Sequence, residues 1–191
     1  MPVLFAGLLE AHGQLGPAEV PTKAVWMIKN NLRKAALLGI PLNSPAFHPF
    51  NPLLALRVSS LPLEPRARLA LIGALFEAVW VRGLHVSDRA VVERLADEIG
   101  VAGATVVADA EQPDAKARLR RQTDAAIARG VFGVPSMEVG DELFWGYDDF
   151  PFLESFLAGK DPLDSTAWHR WFDAPRPSAV RRRFRPKDER A

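Results

Sequence analysis

The sequence predicts an α/β domain in which a long, all-helical segment separates a short N-terminal strand from a C-terminal helix, β-hairpin and helix. Three observations indicate this order. An apolar run opens the chain, apolar residues then recur at helical steps, and two short runs of strand-forming residues follow, separated by a Gly-Asp pair. We expect one hydrophobic core, because 191 residues suit a single domain with a helical insertion.

The first elements are a strand, a loop and a long helix. The apolar run Pro2–Phe5 predicts a buried strand, and the glycines and proline of Gly13–Pro17 predict a loop after it. A helix is predicted over Pro21–Leu38, where apolar residues recur at steps of three and four. Its initial proline suits a first helical turn, and Gly39 ends the pattern.

Three more helices are predicted after a constrained loop. Residues 41–52 contain four prolines and two asparagines, which favour a loop with a defined path. Helical periodicity then resumes over Leu53–Ser60, Glu64–Arg82 and Asp88–Ile99, with Ser87-Asp88 as a candidate cap of the last helix. Within the second of these helices we expect one apolar stripe to face the core: Leu69, Ile72, Phe76, Val79 and Trp80.

The pattern changes again towards the C-terminus. A helix is predicted over Asp114–Arg129, followed by strands at Ser136–Val139 and Glu142–Trp145, whose Gly-Asp connection is typical of a hairpin turn. Asp148 or Asp149 then caps a final helix. The remaining segment, 164–191, is predicted to be a basic, flexible tail.

Composition excludes several kinds of site. The 191 residues include no cysteine, so they supply no disulfide, no thiolate nucleophile and no cysteine-ligated metal. The four histidines lie far apart in the sequence, and we expect no metal site. No run approaches the roughly 18 apolar residues of a membrane span, and the first residues lack the features of a secretory signal. We therefore expect a cytoplasmic protein that does not enter a membrane.

Charge is concentrated at the C-terminus. Residues 174–191 hold seven lysines and arginines against two acids. Such a tail can bind nucleic acid, but its three prolines favour a solvated terminus, and we do not expect a nucleic-acid partner.

Three segments carry a resemblance to a known family. Residues 130–157, GVFGVPSMEVGDELFWGYDDFPFLESFL, resemble the C-terminal signature of the 2-hydroxychromene-2-carboxylate isomerases, which belong with the kappa-class glutathione transferases among DsbA-like thioredoxin folds. Residues 7–27, GLLEAHGQLGPAEVPTKAVWM, resemble that family's loop and first inserted helix, and residues 45–57, PAFHPFNPLLALR, its proline-rich loop. The resemblance implies a thioredoxin-like domain formed by residues 1–20 and 112–163, with residues 21–111 as a helical insertion.

The resemblance also implies a glutathione site. Val134 would pair its main chain with the peptide-like ligand, next to a cis Pro135. Lys23 matches a family lysine that contacts a carboxylate, and Gln14 stands where kappa-class proteins commonly have asparagine. Asp148 would receive the glutathione α-amino group, at a helix N-terminus that can hold the α-carboxylate.

Four further residues border this implied site. Tyr147 stands where the family more often has serine or asparagine, which places it on the glutathione side. Phe50 and Asn51 would line the substrate side. Trp145 either packs within the hairpin or forms a wall of the site, and we favour packing.

The implied reaction is glutathione-dependent. In the family a serine hydroxyl stabilises the glutathione thiolate, which adds to an aromatic substrate, allows rotation about a carbon–carbon bond and leaves again. That serine belongs to a strand–loop–helix element absent from the chain as written, so no catalytic residue is assigned. We expect a misplaced start, with about thirty residues missing upstream. A truncated relative is the alternative.

Other functions remain open at this point. The chain could be a kappa-class-like glutathione transferase acting on another electrophile, a DsbA-like oxidoreductase with cysteines upstream of Met1, or a binding protein without catalysis. The expected partners are a small aromatic molecule and a second copy of the chain in a homodimer.

Overall fold

A computed structural model describes residues 1–173 of the chain. Residues 174–191, the larger part of the segment 164–191 that was predicted to be a flexible tail, lie outside the described residues. The described residues form nine α-helices and one two-stranded sheet. The helices are α1 Phe5–His12, α2 Pro21–Leu38, α3 Leu53–Ser60, α4 Pro65–Trp80, α5 Arg89–Glu98, α6 Gly103–Glu111, α7 Pro113–Ala128, α8 Phe150–Leu157 and α9 Ser165–Asp173.

The sheet is an antiparallel hairpin. Strands β1 (Ser136–Val139) and β2 (Glu142–Trp145) pair so that Ser136 lies opposite Trp145. Both strands have the predicted bounds, and Gly140 at the turn has a φ of 60°, a left-handed value that glycine adopts without steric cost. The chain divides into two compact units, Met1–Gly146 and Tyr147 onwards.

Local signals explain why most helices agree with the prediction. The bounds of α2 and α3 are those predicted, and α4, α5 and α7 agree within two residues. Helix α8 follows Asp149 as expected, but that side chain makes no capping hydrogen bond, so the predicted cap is wrong. Asp88 caps α5, where its carboxylate accepts a hydrogen bond of 2.9 Å from the N–H of Ala90. Glu64 caps α4 in the same way, through the N–H of Ala67 at 3.0 Å. Gly39 ends α2 with a φ of 64°.

The predicted strand at Pro2–Phe5 is wrong. Residues 1–4 form neither helix nor strand, and Phe5 begins α1. Leu4 has extended backbone angles, but its N–H donates to Thr123 Oγ1 of α7 at 3.0 Å. A strand requires a ladder of main-chain partners, and this segment has a side chain as its partner instead. The sequence also did not predict α1, α6 or α9, the last of which begins the segment expected to be a tail.

The predicted core stripe of α4 is partly wrong. Val79 is buried, but Leu69 and Phe76 are 68% and 64% exposed. The buried face instead carries Leu71 and Leu75, neither of which is more than 5% exposed. Because α4 is apolar around most of its circumference, periodicity allows more than one stripe, and packing against α3 and α5 selects this one.

Two clusters of buried side chains hold the first unit together. We call the larger one the helical core, which is built from α3 to α7 and the connections between them. Its members are Val58, Leu61, Leu71, Leu75, Ala78, Val79, Val86, Val92, Leu95, Ala96, Val106, Val107, Ala110 and Ala115. The smaller one, the loop cluster, consists of Leu8, Ala126 and Val131, with Val3, Phe5, Ile127 and Leu143 packed against it.

Candidate functional site

The candidate site is centred on the segment between α7 and β1, which we call the cis-proline loop (Val131–Ser136). The Val134–Pro135 peptide is cis, as predicted. Val134 is 43% exposed, and within residues 1–173 its N–H and C=O make no hydrogen bond. Exposed main-chain groups next to the end of a strand can pair with an extended peptide-like ligand.

Hydrogen bonds on both sides hold this loop. Ser136 Oγ donates to the carbonyl oxygen of Gly133 at 2.8 Å. The N–H of Gly146, just after β2, donates to the carbonyl oxygen of Pro135 at 2.9 Å. The carbonyl oxygens of Gly133 and Pro135 thus have partners, whereas the N–H and C=O of Val134 make no hydrogen bond within residues 1–173.

The loop is anchored to α1 at its start. Val131 is buried in the loop cluster beside Leu8, which is fully buried. His12, at the end of α1, lies with Nε2 3.0 Å from the carbonyl oxygen of Val131, so that ring nitrogen donates its hydrogen. Sequence reasoning did not single out His12, although it lies within the quoted segment 7–27.

Trp145 packs against the cis-proline loop. The rings of Phe132 and Trp145 lie 5.2 Å apart between centroids. A Cβ placed on Gly133 would lie 2.4 Å from Trp145 Nε1, so the indole lies directly against the glycine main chain. Trp145 is nevertheless 49% exposed, and whether its outer face also borders a substrate stays a prediction.

Lys23 and Gln14 lie on the exposed surface near the start of α2. Lys23 is in the first turn of α2, and within residues 1–173 its ammonium group makes no hydrogen bond or ion pair. The N–H of Gln14 donates to Leu9 at 2.9 Å and ends α1, while its side chain is exposed. In the described residues no hydrogen bond links either side chain to the cis-proline loop.

The surroundings of Lys23 are positively charged. Helix α2 carries four lysines and arginines and no acid, and none of its side chains is buried. Its large exposed apolar residues are Val25, Trp26, Ile28, Leu32, Leu37 and Leu38. A basic surface of this kind attracts carboxylate ligands, and the role implied for Lys23 stays a prediction.

Phe50 and Asn51 have structural contacts of their own. Phe50 packs against the helical core, with its ring 6.3 Å from that of Trp80. Asn51 Oδ1 accepts a hydrogen bond of 3.0 Å from the N–H of Leu53 at the start of α3. Their place beside a substrate therefore stays a prediction. The preceding His48–Pro49 peptide is also cis, which the sequence did not predict.

The second compact unit carries the other predicted ligand contacts. Tyr147, Asp148 and Asp149 form a short 3₁₀ turn directly before α8. An open depression in this unit is lined by Tyr147, Asp148, Phe150, Pro151 and Glu154. Its two carboxylates, on Asp148 and Glu154, suit a cationic group such as an amine, and the N-terminus of α8 suits an anionic group beside it.

Two observations of the described residues concern metals and membranes. No group of three or more histidine, aspartate or glutamate side chains in residues 1–173 is arranged to hold a metal ion. Within the same residues, every helix is too short or too polar to cross a membrane.

Comparisons with known proteins agree on one family. A family model described as a DSBA-like thioredoxin domain matches residues 1–158. The 2-hydroxychromene-2-carboxylate isomerase of Sphingobium xenophagum is 29% identical over 149 residues, which cover 77% of this chain and 75% of that protein. The protein of the same name from Pseudomonas putida is 30% identical over 150 residues, covering 77% and 72%.

Two further comparisons extend this result. Glutathione s-transferase kappa 2 of Caenorhabditis elegans is 27% identical over 177 residues, covering 82% of this chain and 76% of that protein. A solved structure of selenomethionine 2-hydroxychromene-2-carboxylate isomerase superposes with a TM-score of 0.76 at 26% identity, over 91% of this chain and 82% of the other. The chain therefore has the DsbA-like thioredoxin fold and belongs to the DSBA-like thioredoxin domain family, among the 2-hydroxychromene-2-carboxylate isomerases.

Proposed function

We propose that this protein is a glutathione-dependent isomerase of aromatic catabolic intermediates of the 2-hydroxychromene-2-carboxylate type. The observation that carries the proposal is Val134, an exposed residue whose N–H and C=O make no hydrogen bond within residues 1–173, in a hydrogen-bonded loop of a chain similar to named isomerases. The similarity to a kappa glutathione transferase supports glutathione as the cosubstrate.

The residues present fit the chemistry of glutathione, which has a peptide backbone, two carboxylates and one α-amino group. In our proposal the N–H and C=O of Val134 pair with that backbone. The ammonium of Lys23 receives a carboxylate, with the amide of Gln14 beside it, and Asp148 receives the α-amino group. Each of these side chains is exposed.

When bound, glutathione supplies the thiolate that adds to the substrate, permits rotation about a carbon–carbon bond and leaves unchanged. The tasks of this chain are then to hold the tripeptide and to orient an aromatic acid beside it. Tyr147, Phe50, Asn51 and the outer face of Trp145 are our candidates for the walls, because they present aromatic and amide groups.

The first test is calorimetric titration with glutathione, followed by an absorbance assay of isomerisation with and without glutathione. We expect Lys23→Ala to weaken glutathione binding about tenfold, since a charge-assisted hydrogen bond contributes roughly 1.5–3 kcal/mol. Lys29→Ala, another cation of α2, is the matched control. Turnover that is independent of glutathione would refute the cosubstrate, and equal effects of the two substitutions would remove Lys23 from the site.

A kappa-class-like glutathione transferase is the second candidate, and the 27% identity to a kappa transferase is the observation that favours it. The two functions differ in the fate of glutathione. An isomerase returns free glutathione after each turnover, whereas a transferase consumes one molecule for each conjugate formed. Measuring thiol concentration during turnover separates them. Glutathione binding without either activity would instead favour a binding protein.

An oxidoreductase of the DsbA type is less well supported. None of the 191 residues is cysteine, so these residues contain no redox-active dithiol. A disulfide-reduction assay is the direct check, and we expect no turnover above the rate of glutathione alone.

The remaining expectations are part of the same proposal. We propose a homodimer, which the exposed apolar residues of α2 and α4 would suit, and light scattering after size-exclusion chromatography measures the mass. We propose a cytoplasmic location, where the glutathione pool is kept reduced.

A further inference from the structure

Gly133 is required by the close approach of a side chain. It is buried, and its φ lies outside the left-handed region, so an alanine would meet no backbone penalty there. The obstacle is the indole of Trp145, since an added Cβ would lie 2.4 Å from Nε1 and 3.0 Å from Cε2. Distances below 3.0 Å do not occur for real Cβ atoms, so one of the two residues would have to move.

This contact lies immediately beside Val134, whose N–H and C=O make no hydrogen bond within residues 1–173. Gly133 precedes Val134 in the chain, and its carbonyl oxygen accepts the hydrogen bond of Ser136 at 2.8 Å. Trp145 ends β2, directly before Gly146, whose N–H donates to Pro135 at 2.9 Å. The indole of Trp145 therefore packs against Gly133, on one side of Val134. On the other side, Pro135 is hydrogen-bonded to Gly146, the residue that follows the tryptophan.

We infer that Trp145 is a positioning residue, whose indole and Gly133 interlock to set the orientation of the N–H and C=O of Val134. The inference rests on the proposed function, in which those two groups pair with glutathione. It assigns Trp145 an effect on ligand binding that passes through the main chain at Gly133. Trp145 need not touch the ligand for this effect.

A double-mutant cycle tests the interlock. Gly133→Ala forces the indole away from the loop, and we expect glutathione affinity to fall about tenfold. In a Trp145→Leu background the same alanine meets no indole, and we expect it to change the affinity less than twofold. An equal effect of Gly133→Ala in both backgrounds would overturn the inference.

Two control substitutions keep the comparison matched. Gly73→Ala adds a methyl group on α4 where no atom lies within 4 Å, and Trp171→Leu removes an indole that is 80% exposed. We expect both to leave glutathione affinity unchanged. Urea unfolding of every variant shows whether a loss of affinity follows a loss of stability, which a purely structural role would produce.

A second readout separates this inference from the proposed function. The amide resonance of Val134 in ¹⁵N-labelled protein without ligand should shift in Gly133→Ala and return towards its position in the Trp145→Leu background when both changes are present. If the wild type does not bind glutathione, the proposed function fails, and this unliganded measurement still decides the interlock. An unmoved resonance in Gly133→Ala would overturn it.

Discussion

The helical core and the loop cluster differ in size. Fourteen buried residues form the helical core, whereas three form the loop cluster that supports the cis-proline loop. Helix α7 joins the two, because Ala115 near its start belongs to the helical core and Ala126 near its end to the loop cluster. A cavity in the large helical core lowers the stability of the whole first unit. A cavity in the small loop cluster should also displace the cis-proline loop that the cluster supports.

The difference explains where the candidate site lies. Main-chain groups can face a ligand only where the surrounding packing is shallow, and Val134 is such a place. The helical core then supplies the stability that the loop cluster cannot. Four substitutions, ordered by expected effect, test this division.

The largest expected effect is that of Leu95→Ala in the helical core. Leu95 is fully buried on α5, so its truncation leaves a cavity and should lower the free energy of unfolding by about 2–5 kcal/mol. Urea denaturation measures the change. Glutathione affinity of the folded protein should stay at the wild-type value. Leu69→Ala, at a position 68% exposed, is the control, with an expected change of about 0.5 kcal/mol or less.

Leu8→Ala makes the equivalent change in the loop cluster. Leu8 is also fully buried, but the cluster is small and can relax, so we expect a loss near the lower end, about 2 kcal/mol. Unlike Leu95→Ala, this substitution should also weaken glutathione binding, because Leu8 supports Val131 at the start of the loop. If both variants lose stability and both retain full affinity, the division between the two regions is wrong.

His12 offers a smaller and more local test. His12→Leu removes the donor to the carbonyl oxygen of Val131 and should cost about 0.5–1.5 kcal/mol of stability. His12→Gln keeps a side-chain N–H donor and should recover part of the loss. Thermal unfolding and glutathione titration of both variants are the measurements. Equal losses for leucine and glutamine would show that the hydrogen bond is not the cause.

The smallest effect belongs to a surface ion pair that borders the helical core. The hydrogen bond from Arg89 lowers the pKa of the Glu111 carboxyl below its usual 4.5, and burial opposes the shift. A lowered folded-state pKa stabilises the protein above pH 4.5 and ceases to do so as the pH falls through the folded value. Glu111→Gln should therefore slightly lower the unfolding midpoint at pH 7, and this difference should shrink as the pH falls through the folded-state pKa.

Because Arg89 and Glu111 are both about half exposed, solvent screens this pair and the change should be small. Glu77→Gln is the control, since within residues 1–173 Glu77 forms no ion pair. A difference between the two variants that does not shrink as the pH falls would exclude the ion pair as its source.

Some parts of the structure could be predicted from local sequence signals, and others only from the family resemblance. Helix α2 and the β-hairpin could be predicted from nearby residues in the sequence, because Gly39 and the Gly-Asp turn are local signals. The cis peptide at Val134 was predicted only through a family resemblance, since neither periodicity nor composition specifies it. Whether Lys23, Gln14 and Asp148 bind glutathione stays a prediction.

The sequence by itself determined the order of most elements, the cap of α5, the hairpin turn, the absence of cysteine chemistry and the family of this protein, because these depend on residues close together in the chain or on identity alone. Only the tertiary structure decided that Leu71 rather than Leu69 faces the core. It also decided that Leu4 bonds to Thr123 and that Trp145 lies against Gly133. These contacts join residues on different elements, and such packing depends on how the elements assemble.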